Sequence, residues 1–171
     1  YQVSVVNGNG YRNTTVTKSV DVEGRISAQY KGFTAGIGGY TGKLGANREG
    51  AVTYHTANRF NALVGYKTDM FSVGGEYFYA ENWNAVTSVN KDEADGYSLF
   101  ASVSPVDKIS IFGRYDWVKP RKKSNSSLKD DYFNVGIQYS PAKIVDFALL
   151  YKRDKVQNGS LSTSNGTIVG I

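Results

Sequence analysis

The chain contains no cysteine, one histidine, one methionine and three prolines in 171 residues. Without cysteine there is no disulfide scaffold, no thiolate metal centre and no cysteine nucleophile. Long hydrophobic runs are missing too: stretches such as Phe147 to Tyr151 are only a few residues long, whereas a membrane-spanning helix needs ~20. A helical membrane protein is excluded. No glycine loop suited to cradling phosphate is present either, because Gly36-Ile-Gly-Gly39 sits inside a strand-like pattern with no helix following. No metal-ligand or Ca²⁺-loop spacing occurs, and no cofactor is expected.

What is abundant is glycine and tyrosine, at 19 and 13 residues, with 8 Phe and 2 Trp. Both are poor choices for a helical bundle, so the composition points to β-structure. The hydrophobic fraction is 40% and the mean hydropathy −0.38. That polar average is compatible with a membrane barrel, whose strands put apolar residues on one face and polar ones on the other so that the two cancel. The length suits one domain, and the formal charge is +5.

Alternation is strict from Val20 to Tyr30. Val20, Val22, Ile26, Ala28 and Tyr30 fall on one face, and Asp21, Glu23, Arg25, Ser27 and Gln29 on the other. A period of two marks a strand with unlike faces, and three neighbouring charges on one side need water. The pattern recurs at Tyr1 to Val5, Phe33 to Gly38, Arg59 to Lys67, Phe71 to Tyr79, Tyr97 to Ser104, Ile109 to Trp117, Phe133 to Tyr139 and Val145 to Lys152. Nine strands are predicted, with a tenth beginning at Thr167.

The connections alternate in length. Lys31-Gly32, Thr68 to Met70, Pro105 to Lys108 and Pro141 to Ile144 are short and carry turn residues. Gly8 to Ser19, Lys43 to His55, Glu81 to Asp95, Lys119 to Asp131 and Lys155 to Asn165 are long and polar. If successive strands pair as hairpins, all short turns lie at one end and all long loops at the other, an asymmetry of outer-membrane barrels. Aromatic residues of the apolar faces cluster near strand ends. Tyr1, Tyr30, Phe33, Tyr66, Phe71 and Tyr139 lie by short turns, and Tyr77, Tyr79, Trp117 and Tyr151 lie toward long loops. Two such girdles fit a bilayer, because Tyr and Trp keep a ring in lipid and a polar tip at the headgroups.

The stretches Phe112-Gly-Arg-Tyr-Asp-Trp-Val-Lys-Pro120, Asp131-Tyr-Phe-Asn-Val-Gly-Ile-Gln-Tyr139 and Val145-Asp-Phe-Ala-Leu-Leu-Tyr-Lys-Arg-Asp-Lys155 resemble strands of Gram-negative outer-membrane porins, the nearest group being the phosphate-selective porins O and P. The resemblance covers most of the chain in style, through short motifs shared by many porins. It implies an all-β, antiparallel up-and-down transmembrane β-barrel of about 16 to 18 strands in the whole protein. This chain opens inside an alternating segment at Tyr1 and stops at Ile171 rather than on an aromatic residue. The expectation is one β-barrel region over residues 1–171, part of a larger porin.

The implied location is the bacterial outer membrane, and the implied activity is passive diffusion of small hydrophilic solutes or ions, with no enzymatic step. Candidate pore-lining residues are Asp21, Glu23, Arg25, Arg59, Lys67, Glu76, Arg114, Asp116 and Lys152, with Asp154 beside them. Charges on a lumen wall bias which ions pass. Glycines on the same face, Gly36, Gly38, Gly65, Gly74 and Gly136, are expected to make room for large neighbours such as Tyr40 or Phe78. Expected partners are the lipid bilayer, lipopolysaccharide and small hydrophilic solutes, with a homotrimer left open. Lys119, Arg121, Lys122, Lys123 and Lys129 form a basic loop, suited to anionic solutes or lipopolysaccharide phosphates or simply solvated. Nucleic acid is not expected, because no binding motif accompanies that charge.

Two other readings compete. Omptin-type surface proteases and adhesins are small closed outer-membrane barrels of about ten strands. An omptin-like protease here would need His55, the only histidine, held by a carboxylate such as Asp92, Glu93 or Asp95. A soluble sandwich would pack the apolar faces of two sheets together. Asn13-Thr14-Thr15 matches a glycosylation tripeptide, irrelevant in a bacterial protein.

Overall fold

The computed structural model describes residues 1–8, 18–46 and 53–170. The described residues contain ten strands and no helix. These are β1 (Gln2–Val6), β2 (Asp21–Tyr30), β3 (Phe33–Gly42), β4 (Ala57–Lys67), β5 (Phe71–Glu81), β6 (Glu93–Val106), β7 (Ile109–Lys119), β8 (Leu128–Ala142), β9 (Val145–Asn158) and β10 (Leu161–Gly170). All belong to one sheet in sequence order, and every neighbouring pair is antiparallel. The sandwich reading requires two packed layers, and the described residues form only one.

The strands form where the two-residue period predicts them, and cross-strand register keeps the unlike faces apart. Ile26 lies opposite Ile37, and Ile37 opposite Ala62. Ile111 lies opposite Ile137, and Ile137 opposite Leu149. A slip of one residue would turn every one of these side chains to the other face, so the pattern itself fixes the pairing. Lys31 and Gly32 both have positive φ, 46° and 85°. Such mirror-image turns match the twist of the strands they join. Pro105 and Pro141 occupy register shifts in β6 and β8, beside the short turns, where a missing N–H breaks no regular ladder bond.

Almost nothing apolar is buried. Among the described residues the fully covered hydrophobic side chains are Ala57, Ala80, Val86 and Ala94. Val22, Ile111, Val135 and Leu149 are 40%, 43%, 41% and 55% exposed. They belong to one continuous apolar face with no layer of described residues against it. Its aromatic residues meet across strands toward both ends. Phe33 and Tyr66 lie 4.4 Å apart and Tyr66 and Phe71 5.8 Å apart near the short turns. Toward the long loops Tyr97 lies 5.4 Å from Trp117 and 6.1 Å from Tyr115. Tyr1 departs from expectation: Gln2 pairs with Arg25, which puts Tyr1 beside the middle of β2 rather than at the short-turn end.

One further expectation is corrected. Lys155 to Asn165 is not a loop: β9 runs to Asn158, turns at Gly159-Ser160 and returns as β10 from Leu161, not Thr167. Both faces are polar there, so hydrophobic periodicity is silent while the backbone ladder continues from Leu161 opposite Asn158 to Gly170 opposite Leu149. The sheet is also open, since β1 and β10 each have one strand neighbour and do not pair with each other. Asn13-Thr14-Thr15, Ile171 and parts of the first two long loops lie outside the described residues.

Candidate functional site: the polar face of the sheet

Register places all nine candidate residues on one face. Glu23 lies opposite Tyr40, and Tyr40 opposite Arg59. Arg25 lies opposite Gly38, and Gly38 opposite Asn61. Leu63, Glu76, Ser98 and Asp116 form the next row across β4 to β7. Arg114 and Lys152 both flank Asn134, and Asp154 flanks Tyr132. Lys67, opposite Ser72, stands at the short-turn end of β4.

Asp21 shares this face without offering its charge to water. It is fully buried, its carboxylate accepts the Tyr40 hydroxyl at 2.5 Å and the Lys43 amide at 2.6 Å, and Gly8 and Gly42 close over it. A charge this enclosed persists only when hydrogen-bonded, so Asp21 ties β2 to the end of β3. The other charged candidates are partly or largely accessible.

Between β2 and β5 the face holds a depression of about 380 Å³ bordered by Glu23, Arg25, Tyr40, Arg59, Asn61 and Phe78. The Arg59 guanidinium lies over the Tyr40 ring, 4.8 Å from its centroid. Asn61 donates to Glu76 at 3.1 Å. Neither Arg25 nor Arg59 has a carboxylate partner among the described residues.

Over β7 to β9 the charges answer one another. Arg114 donates from Nε to both Asp116 oxygens, at 2.8 and 2.9 Å. Asp130 belongs to β8 rather than to a loop and has Asp154, a like charge, near it on the same face. Phenylalanines occupy this face over glycine. A Cβ at Gly74 would lie 2.5 Å from the Phe100 ring, one at Gly136 2.6 Å from Phe112, and one at Gly96 2.7 Å from Phe78. Each is a directly opposed pair. The expected reason for inward glycine thus holds at Gly74 and Gly136, with Phe100 and Phe112 as the neighbours. Parity alone could have found those pairs, given the register.

The long loops are joined to one another. The Asp92 carboxylate accepts from the amides of Glu93, Lys123 and Ser124 at 2.9, 3.1 and 3.3 Å and from the Ser124 hydroxyl. Burial pushes its pKa up, but those hydrogen bonds outweigh burial and hold it below the ordinary value. Lys122 pairs with Asp95 at 2.9 Å, which raises its own pKa, and Lys123 pairs with Glu93 at 3.4 Å. The expected basic loop is therefore partly neutralised by acids from β6, close in space but distant in sequence. Lys119 and Lys129 belong to β7 and β8, so the loop itself spans only residues 120–127.

His55 borders a rim pocket with Glu81, Asp92 and Glu93, yet its Nε2 is buried without a hydrogen-bond partner. Among the described residues no carboxylate holds it as a general base requires. Among the described residues no group of three or more His, Asp or Glu side chains is arranged to hold a metal ion.

No protein-family model matches the chain, and no curated protein matches it significantly.

Proposed function

We propose that the chain forms part of the wall of a bacterial outer-membrane porin, a passive diffusion channel for small hydrophilic solutes or ions. The observation that carries this reading is the uncovered apolar face of the sheet. Burying apolar surface is the main force that folds a water-soluble domain, and monomeric soluble proteins rarely expose contiguous apolar patches beyond a few hundred Å². Here Ile26, Ile37, Val64, Leu99, Ile111 and Leu149 are all exposed. Hydrocarbon is the solvent that suits them, and Tyr97 and Trp117 toward one end and Tyr66 and Phe71 toward the other suit the headgroup layers.

The opposite face then lines water. Its charged side chains set the local potential, and solutes cross without a chemical step. The open edges β1 and β10 must be paired in any membrane-inserted form, because hydrocarbon cannot satisfy free backbone groups. Closure therefore requires their mutual pairing or further strands. Reconstitution into planar bilayers tests the reading. Discrete ion conductance steps are expected from the protein, and its absence from membranes in favour of a detergent-free soluble form would end the assignment.

A further inference from the structure

We propose that the depression between β2 and β5 is a binding subsite for small hydroxy-carboxylates, of which sugar acids are the simplest. The inference deepens the channel reading and rests on it for access, since solute reaches this face through the lumen.

The depression has a preset shape. Its floor crosses β3 at Gly38, and neighbouring side chains lie over the glycines of that strand. A Cβ at Gly38 would lie 2.5 Å from Asn61 Oδ1, and one at Gly36 3.3 Å from Arg25 Nη2. Arg59 is steadied against the Tyr40 ring. Two guanidinium forks thus border one hollow without an ion-pair partner among the described residues. Such a fork matches the two oxygens of a carboxylate.

The remaining groups narrow the ligand. The Asn61 amide nitrogen is engaged by Glu76, which leaves its Oδ1, an acceptor, over the floor. Glu23 borders the same hollow, and its carboxylate accepts no hydrogen bond from a described residue. The site therefore presents two anion-binding forks and two acceptors. Acetate would satisfy only the forks, and a neutral sugar only the acceptors. A hydroxy-carboxylate satisfies both, with its C–H surface against Phe78. A zwitterionic amino acid could place its ammonium on Glu23, but Arg25, Arg59 and Glu23 together carry net positive charge, which favours a net anion.

Titration calorimetry of the protein in detergent micelles, with glucuronate, acetate, glucose and glycine as probes at low salt, tests this. Glucuronate is expected to bind about tenfold or more tighter than acetate, with glucose and glycine weaker still. Arg25→Ala and Arg59→Ala should each weaken glucuronate about tenfold, and the corresponding lysine variants less, because charge is kept while the fork is lost. Arg114→Ala, on the same face but outside the hollow, should leave affinity unchanged. Equal affinity for acetate and glucuronate, preference for glycine, no binding at all, or equal loss in Arg114→Ala would overturn the subsite. Retained strand signal in circular dichroism separates lost binding from lost fold. Conductance without glucuronate binding defeats the subsite alone, whereas binding without conductance defeats the channel reading alone.

Discussion

The polar face of the sheet has two unlike parts. Over β2 to β5 it is hollow: Gly38 lies in the floor, and Arg25 and Arg59 stand at the border without carboxylate partners among the described residues. Over β6 to β9 it is filled: Phe112 covers Gly136, Phe100 reaches from β6 over Gly74 of β5, and Arg114 is paired with Asp116. Glycine receives a side chain in both parts, but at Gly38 it is the small Asn61 amide and at Gly74 and Gly136 a phenylalanine ring. Charge differs too, since a paired charge contributes little field beyond its partner while an unpaired one projects into the solvent.

The largest test of the contrast is a methyl group added to one glycine in each part. At Gly136 a Cβ meets the Phe112 ring at 2.6 Å and the Leu149 carbonyl at 2.9 Å, and backbone cannot move aside cheaply. Gly136→Ala is expected to destabilise the sheet by about 1–3 kcal/mol, the ordinary cost of overpacking. At Gly36 the nearest atom is the flexible end of Arg25, 3.3 Å away, followed by Ser27 Cβ at 3.4 Å and the Ile26 carbonyl at 3.5 Å, both ordinary contacts. Gly36→Ala should unfold close to wild type. Urea unfolding in detergent, followed by Trp117 and Trp83 fluorescence, would break the contrast if the two variants behaved alike.

A smaller effect is expected on ion selectivity. Replacing both Arg25 and Arg59 with alanine removes two unpaired positive charges from the lumen face, and the reversal potential under a KCl gradient should move toward cations. Arg114→Ala should move it less, because Asp116 already offsets that charge at 2.8 Å. Equal shifts from the two would mean that pairing on this face does not govern the potential.

How much of this was readable beforehand follows from the physics of the pattern. Alternation from Val20 to Tyr30 or Phe71 to Tyr79 is a one-dimensional signal, so it gave strand, face and the neighbour order of hairpins. It failed from Lys155 to Asn165, where Lys155, Gln157, Ser162, Ser164 and Asn165 leave no apolar side to mark the period. At the site, parity placed Arg25, Arg59 and Glu76 on one face, but which charges are paired depends on register between strands. Asp21 could not be told from Glu23 in the sequence, because its burial depends on Tyr40, Lys43 and the close approach of Gly8 and Gly42. The union of loops 82–92 and 120–127 through Asp92 was equally hidden, being a contact across 31 and 32 residues.

That union extends the filled part of the molecule to its rim, and it gives the smallest and most local effect. In the folded chain the hydrogen bonds from Ser124, Lys123 and Glu93 overcome burial and hold the Asp92 pKa below its ordinary value. A carboxyl whose folded pKa is depressed contributes stability that is full above the unfolded pKa, about 3.9, and is lost as pH falls through the folded value. The loop tie should therefore be intact at neutral pH and weaken only below the ordinary aspartate range. Protonation leaves one oxygen as a hydroxyl, a poorer acceptor for three amides and a serine. Hydrogen exchange reads this at the amides of Lys123 and Ser124. Their protection should fall in acid beyond the intrinsic pH dependence of exchange, and Asp92→Ala should remove it at all pH values. The ladder amides of β2 and β3 should be unaffected by that substitution. Unchanged protection of Lys123 and Ser124 in Asp92→Ala would mean that the backbone bond from the Lys122 amide to the Glu93 carbonyl, 2.8 Å long, holds the two loops together without the carboxylate.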